Sequence, residues 1–285
     1  MNRIYACIDG QSHTLSVIDW SAWAAQRLNV PLEFLHVLER HSERARTQDF
    51  SGAIGLGAQE AILQDLSRQD ALHSKQAIEA GRRLLSSARE RAAQAGVDQL
   101  DGRLRHGEFV ATVQELEVDA QLLVLGEHCR PAPTQDLNFD HHLEEVIRCT
   151  QRSVLMATKA QFVPPKQFAW AFDGSSAASK TLDLITSSPL LTGLAALVVM
   201  AGANSPERMQ QLQQAQQTLE KAGFDVKVQL IAGEPNEVLP AFVKAQGAHL
   251  LVMGAFGRSW FKQLMTGSTT RTVLRVSDVP VLILR

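Results

Sequence analysis

Ile4-Tyr5-Ala6-Cys7-Ile8-Asp9-Gly10 stands near the start of the chain, and Phe168-Ala169-Trp170-Ala171-Phe172-Asp173-Gly174 answers it midway. Each is a short apolar run closed by Asp-Gly, with serine close behind: Ser12 in the first, Ser175 and Ser176 in the second. The two lie 164 positions apart. Three further blocks recur in the same order. Arg105-His106-Gly107-Glu108 matches Ile231-Ala232-Gly233-Glu234 at an offset of 126, and Leu122-Leu123-Val124-Leu125-Gly126 matches Leu250-Leu251-Val252-Met253-Gly254 at 128. Val146-Ile147-Arg148, then Ser153-Val154-Leu155, matches Val273-Leu274-Arg275, then Pro280-Val281-Leu282, at 127. One block could match by chance; four in order mark a tandem duplication. The offset drops by 38 between the first and second blocks, so the first copy carries an insertion there. Pro164 and Pro165 resist helix and central strand alike and set the seam, giving domains of 1–160 and 161–285.

Within each copy, short apolar runs alternate with longer amphipathic stretches. In the second copy the pattern predicts strands over 168–172, 194–200, 226–231, 249–253 and 280–284, and helices over 175–187, 206–222, 235–246 and 267–276. Apolar runs with little alternation read as strands buried on both faces of a parallel sheet. Strand–helix alternation makes each copy a doubly wound α/β domain, a five-stranded, mostly parallel sheet flanked by helices. Ser205 followed by Pro206 is a helix start, and Gly223 a helix stop. In the first copy, residues 58–95 read as long helical segments with a solvated charged face.

The 285 residues hold 28 basic and 30 acidic side chains, a net charge of −2. A non-specific nucleic-acid or anionic-membrane binder would carry a basic excess. No run approaches 18 apolar residues, so no membrane span is expected. Three scattered cysteines, Cys7, Cys129 and Cys149, build no disulfide framework and fit a reducing compartment. With no leader pattern at the N-terminus, the expected location is cytoplasmic.

One loop carries chemistry. After the strand 249–253 come Gly254-Ala255-Phe256-Gly257, nine residues, and Gly267-Ser268-Thr269, where the last helix should begin. Glycines let backbone N–H groups converge on one anion, and a helix N-terminus favours phosphate. Arg258 and Lys262 add two cations. A purely structural loop, with Ser268 as a helix cap, fits the same residues. There is no Gly-x4-Gly-Lys-Ser/Thr string, so P-loop chemistry lacks its lysine.

The spacing Gly-x2-Gly-x9-Gly-Ser, before a final helix and a Pro-Val-Leu-Ile strand, resembles the universal stress protein (UspA) family. Asp173-Gly174-Ser175 and Gly233-Glu234-Pro235 resemble it too, and the likeness spans both halves. It implies a tandem, two-domain member of that family, acting in stress response or regulation. It further implies a site for ATP, ADP or AMP, with or without Mg2+, in the second copy. By position, Asp173 would lie near adenine and ribose, Ala201 at the base, and Met253 near the ribose. Gly254, Gly257, Arg258, Gly267, Ser268 and Thr269 would hold the phosphates. The plain reading of Asp173 is a turn residue. Universal stress domains pair through their last strands, so 152–157 and 279–284 are expected to pair antiparallel as an intrachain pseudo-dimer, with association of two chains left open.

The first copy departs from the pattern. Gly126 remains, but Glu127, His128 and Cys129 follow it, and Asp140-His141-His142 replaces Gly-Ser-Thr. The acids would repel phosphate, so this copy is expected not to bind ATP. His128, Cys129, Asp140, His141 and His142 are metal-ligand types, yet they match no ligand spacing, and no metal site is assigned. His36 reads as a satisfied core histidine. No general base or triad stands out, so no catalytic residue is assigned. Four readings stay open: a nucleotide-binding regulator, a slow ATPase or related enzyme in which Arg258 and Lys262 steady phosphate charge, a protein that binds a non-nucleotide small molecule or a metal through its N-terminal domain, and an interaction scaffold.

Overall fold

A computed structural model describes residues 2–39, 56–126, 141–158, 161–255 and 279–285. Among them, the N-terminal half runs β1 (Arg3–Cys7), α1 (Thr14–Leu28), β2 (Leu32–Leu38), α2 (Leu56–Gln94), β3 (Leu100–His106), α3 (Phe109–Leu116), β4 (Ala120–Gly126), α4 (His141–Cys149) and β5 (Ser153–Ala157). The C-terminal half runs β6 (Gln167–Ala171), α5 (Ser176–Ser187), β7 (Ala195–Ala201), α6 (Pro206–Lys221), β8 (Val226–Ile231), α7 (Pro235–Gln246), β9 (Leu250–Gly254) and β10 (Val281–Leu284). The strands expected in the second copy lie within one residue of those observed. The helix expected over 267–276 lies outside the described residues.

The strands join into one ten-stranded sheet, ordered β3-β2-β1-β4-β5-β10-β9-β6-β7-β8. Each half contributes five strands in the same relative order, read inwards to a common centre. Every pairing is parallel except the central one, where Val281, Leu282 and Ile283 of β10 face Met156, Leu155 and Val154 of β5 antiparallel. The expected pairing of the last strands is therefore seen, and it removes two exposed sheet edges. Arg285 fastens this seam. Its backbone N–H donates to Ser153 Oγ at 3.2 Å, and its guanidinium donates to the carbonyls of Ile147 and Thr150 at the end of α4.

Apolar layers cover both faces. α1, α2, α5 and α6 pack on one, around Trp20, Phe34, Phe168 and Trp170; α3, α4 and α7 pack on the other, around Leu123, Ile147, Phe242 and Ile283. Phe162, in the segment joining the halves, stacks edge-on against Trp20 at 4.9 Å. Local signals set the helix starts. Ser175 Oγ accepts from Ala178 N–H, Ser205 Oγ accepts from Arg208 N–H, and Pro206 takes the first helical position.

The insertion falls in one place. α2 is a single helix of 39 residues where its counterpart α6 has 16. The connection before it, 39–55, is also longer than 202–205.

Candidate functional site

In a parallel sheet, strand carboxyl ends and the helix N-termini that follow them share one edge. Ligands settle where neighbouring strands send their connections to opposite faces. In the C-terminal half that point lies between β6 and β9, where the strand order reverses: β6 pairs onward with β7 on one side, and β9 with β10 on the other. Asp173 follows β6, Gly254 ends β9, and Ala201 ends β7 next to β6. Three of the expected site residues thus meet at one edge.

Asp173 closes the strand exit. Its Oδ1 accepts from Ser175 N–H at 3.0 Å and from Ser175 Oγ at 2.8 Å. Ser175 in turn caps α5, so the carboxylate stiffens the entrance to that helix. Both bonds fall on one oxygen, and the side chain is exposed. The turn role read from the sequence is present, and the carboxylate still faces the edge. Gln211 of α6 steadies the turn by donating to the Gly174 carbonyl at 3.3 Å.

Ala201 is half-buried. Just beyond it, Gly202 N–H donates to the Ile231 carbonyl at 2.9 Å. The Arg208 guanidinium lies across Gly202, at a place a side chain would fill, and donates to the Ala203 carbonyl at 3.3 Å. Sequence reading missed Arg208 and Gln211 because each is one polar residue on the outer face of an amphipathic helix. Met253, expected near the ribose, is 2% exposed and sits in the apolar layer beneath α7.

Gly254 has a packing reason to be glycine. A Cβ there would lie 3.1 Å from Thr181 Cβ and closer still to its Oγ1, so the residue lets α5 approach the end of β9. Gly126 does the same in the other half: a Cβ would stand 2.8 Å from Val17 Cγ2 of α1. Val17 and Thr181 hold equivalent positions in the two copies. This glycine is therefore kept even in the copy that has lost the rest of the loop.

Gly257, Arg258, Lys262, Gly267, Ser268 and Thr269 lie outside the described residues, as do Glu127, His128, Cys129 and Asp140. Among the described residues no group of three or more His, Cys, Asp or Glu side chains could hold a metal ion. His142 is half-buried and stands edge-on to Phe109 at 6.4 Å. His36 is satisfied as expected, with Nδ1 2.7 Å from the Ile8 carbonyl. The Cys7 thiol is buried and pushed up to about 12, so it supplies no thiolate nucleophile.

Ala201 is small and apolar, and the exposed Asp173 carboxylate can accept further hydrogen bonds at the same edge.

This is a duplicated, doubly wound α/β protein with its candidate site at the strand carboxyl edge of the C-terminal half. The profile of the Universal stress protein family matches residues 1–158 and again 160–285, and the chain belongs to that family. It is 29% identical over 288 residues, covering all of both chains, to Universal stress protein Slr1230 of Synechocystis. A universal stress protein from Archaeoglobus fulgidus shares the fold with a TM-score of 0.72 at 16% identity, covering 100% of this chain and 96% of that one. PA1789 of Pseudomonas aeruginosa PAO1, described as functionally unknown, shares it at 0.61 and 15% identity, over 100% and 92%. No described helix is long and apolar enough to cross a membrane.

Proposed function

We propose that the C-terminal domain, residues 161–285, binds one adenine nucleotide, ATP, ADP or AMP, and that the protein works by this binding in stress response or regulation. The observation that carries the reading is convergence. Asp173, Ala201 and Gly254 come together at the switch point of that half, directly before the Gly-x2-Gly-x9-Gly-Ser spacing. In this reading Ala201 seats the base and Asp173 takes the ribose. Gly254, Gly257, Arg258, Gly267, Ser268 and Thr269 hold the phosphates, and Met253 supports the floor from within the core. The N-terminal half lacks the second glycine and the Gly-Ser-Thr, and takes no ATP.

Calorimetry with ATP tests this. One nucleotide per chain is expected, and Gly267→Val should abolish it. Two nucleotides per chain, or binding unchanged in the variant, would overturn the assignment. Phosphate release with Mg2+ no faster than in Gly267→Val is expected of a binding protein.

A further inference from the structure

The C-terminal edge holds a cation that the local structure does not require. Arg208 is the third residue of α6, where the helix dipole disfavours positive charge. It is half-buried, yet among the described residues no carboxylate pairs with it. Its guanidinium, with five N–H donors, makes one hydrogen bond, from Nη1 to the Ala203 carbonyl at 3.3 Å. The backbone makes room for this group. Gly202 has a φ of +135°, and a Cβ there would stand 2.8 Å from Arg208 Cζ, so glycine is what lets the guanidinium lie on the strand exit.

The duplication supplies the control. Ala95-Gly96-Val97-Asp98 and Ala222-Gly223-Phe224-Asp225 follow the equivalent helices 127 positions apart, so Arg208 corresponds to Gly81 and Gln211 to Leu84. Gly202 corresponds to Leu38, at the same offset of 164 that relates Asp173 to Asp9. In the N-terminal half Leu84 lies against the Asp-Gly turn, 3.7 Å from where a Gly10 Cβ would be. In the C-terminal half Gln211 donates to the Gly174 carbonyl instead. The copy that keeps the Gly-x2-Gly-x9-Gly-Ser spacing is thus the copy that sets Arg208 and Gln211 over its strand ends.

We propose that Arg208 reads the base of the bound nucleotide, its guanidinium donating to a ring nitrogen of the purine. The inference rests on the adenine-nucleotide reading of the site. In that reading phosphate, ribose and base follow the strand order β9, β6, β7, and Gly202 is the next residue beyond Ala201 at the base. Consecutive Cα atoms are about 3.8 Å apart, so a guanidinium laid on Gly202 reaches the rim of a ring over Ala201. A guanidinium only donates, and the acceptors of adenine are its ring nitrogens, so the contact is to one of these.

The test is calorimetry on the full chain with ATP and with three ATP analogues in which N1, N3 or N7 of the base is replaced by CH. The native chain should bind one analogue about ten-fold more weakly than ATP. Arg208→Met keeps the apolar stem on Gly202 without its donors. It should bind ATP about ten-fold more weakly than the native chain and bind that analogue and ATP alike, the coupling expected of a direct contact. An arginine that merely props the turn would weaken ATP and every analogue equally and leave their ratios unchanged. Should Arg208→Met fail to fold, Arg208→Ala, a good helix former, takes its place and is read the same way. No discrimination among the analogues by the native chain, or the same discrimination kept in the variant, overturns this inference while the adenine reading stands. No ATP bound by the native chain overturns the adenine reading, and this inference with it.

Discussion

After β1, the N-terminal half closes its Asp-Gly turn by joining Asp9 Oδ1 to Gln11 N–H and Thr14 Oγ1, at 2.8 and 2.9 Å. After β6, the C-terminal half closes the equivalent turn by joining Asp173 Oδ1 to the N–H and Oγ of Ser175, with Gln211 of α6 donating to the Gly174 carbonyl. The scaffolds agree closely: the same strand order, the same glycine under the first helix, the same turn. The halves part at what fills the edge and what fills the sheet beneath it. In the N-terminal half Glu39 sits at the edge, and Glu33 lies in the sheet, 1% exposed between Arg3 at 2.6 Å and Arg103 at 2.5 Å. Their C-terminal equivalents are Gln167, Leu197 and Gln229. Duplication preserved the backbone solution and left each copy free to change its side-chain chemistry.

The severest test is whether the halves hold together through the seam. Leu282 is fully buried in β10, paired with Leu155 on one side and Val252 on the other. Leu282→Asp puts an unpaired carboxylate in the middle of the shared sheet, at a cost above about 4 kcal/mol. Circular dichroism should show loss of one cooperative unit spanning both halves. Melting of the C-terminal half alone, with the N-terminal half unchanged, would show that the sheet is continuous in shape but not in energy.

Next in size is the buried charge cluster. Glu33→Gln strands Arg3 and Arg103 against a neutral partner and should cost about 3 kcal/mol, the lower end for breaking a buried pair because both arginines keep some solvent contact. Importing the other copy's solution is the sharper variant. Arg3→Gln, Glu33→Leu and Arg103→Gln together should be close to neutral in chemical denaturation, since the apolar set avoids the desolvation cost of the ions. A triple variant as unstable as Glu33→Gln would mean that the ions hold the strand register rather than merely neutralise one another.

That cluster also shows where sequence reading stops. Runs such as Leu122–Gly126 and Leu250–Gly254 announce themselves, because a strand buried on both faces leaves no room for polar residues. Ser205-Pro206 announces its helix because the cap chemistry is local. Glu33 is different: its acceptability depends on arginines from β1 and β3, and those meet it only once the strands are in register. Glu39 likewise needs an N–H from a helix 70 positions away. The loop spacing identified the family, but spacing alone assigns one role to Gly254, and the structure adds a second. Met253 is buried in the apolar layer, a placement that its position at the end of an apolar run already implies.

Gly254 separates those roles. Gly254→Ala forces a Cβ onto Thr181 and should cost about 1–3 kcal/mol as overpacking, with Thr181→Ala recovering part of it. Gly126→Ala should behave alike, with Val17→Ala as its partner. Double-mutant cycles by thermal melting measure both couplings. If the packing role is shared and the ligand role is not, the stability losses should match while ATP affinity falls only for Gly254→Ala. Equal affinity losses would mean that both edges contact nucleotide.

The smallest effect is confined to the N-terminal half, where Tyr5, the chain's single tyrosine, donates to Asp119 Oδ1 at 2.9 Å. Burial first, and this hydrogen bond second, push the phenol up to about 12 from 10.0. The folded chain therefore keeps a proton that the unfolded chain releases, and the contribution to stability is whole below pH 10. It declines as pH rises towards 12, because there the unfolded state binds fewer protons than the folded one. Tyrosinate absorbance of the native protein should stay flat through pH 10 and appear only near 12 or on unfolding. Tyr5→Phe should remove this pH dependence and cost about 1 kcal/mol at neutral pH. Ala169 takes this position in the C-terminal half, so that half has no phenol to titrate. A tyrosinate signal at pH 10 in native protein would mean that the N-terminal sheet opens on its own, well before the seam gives way.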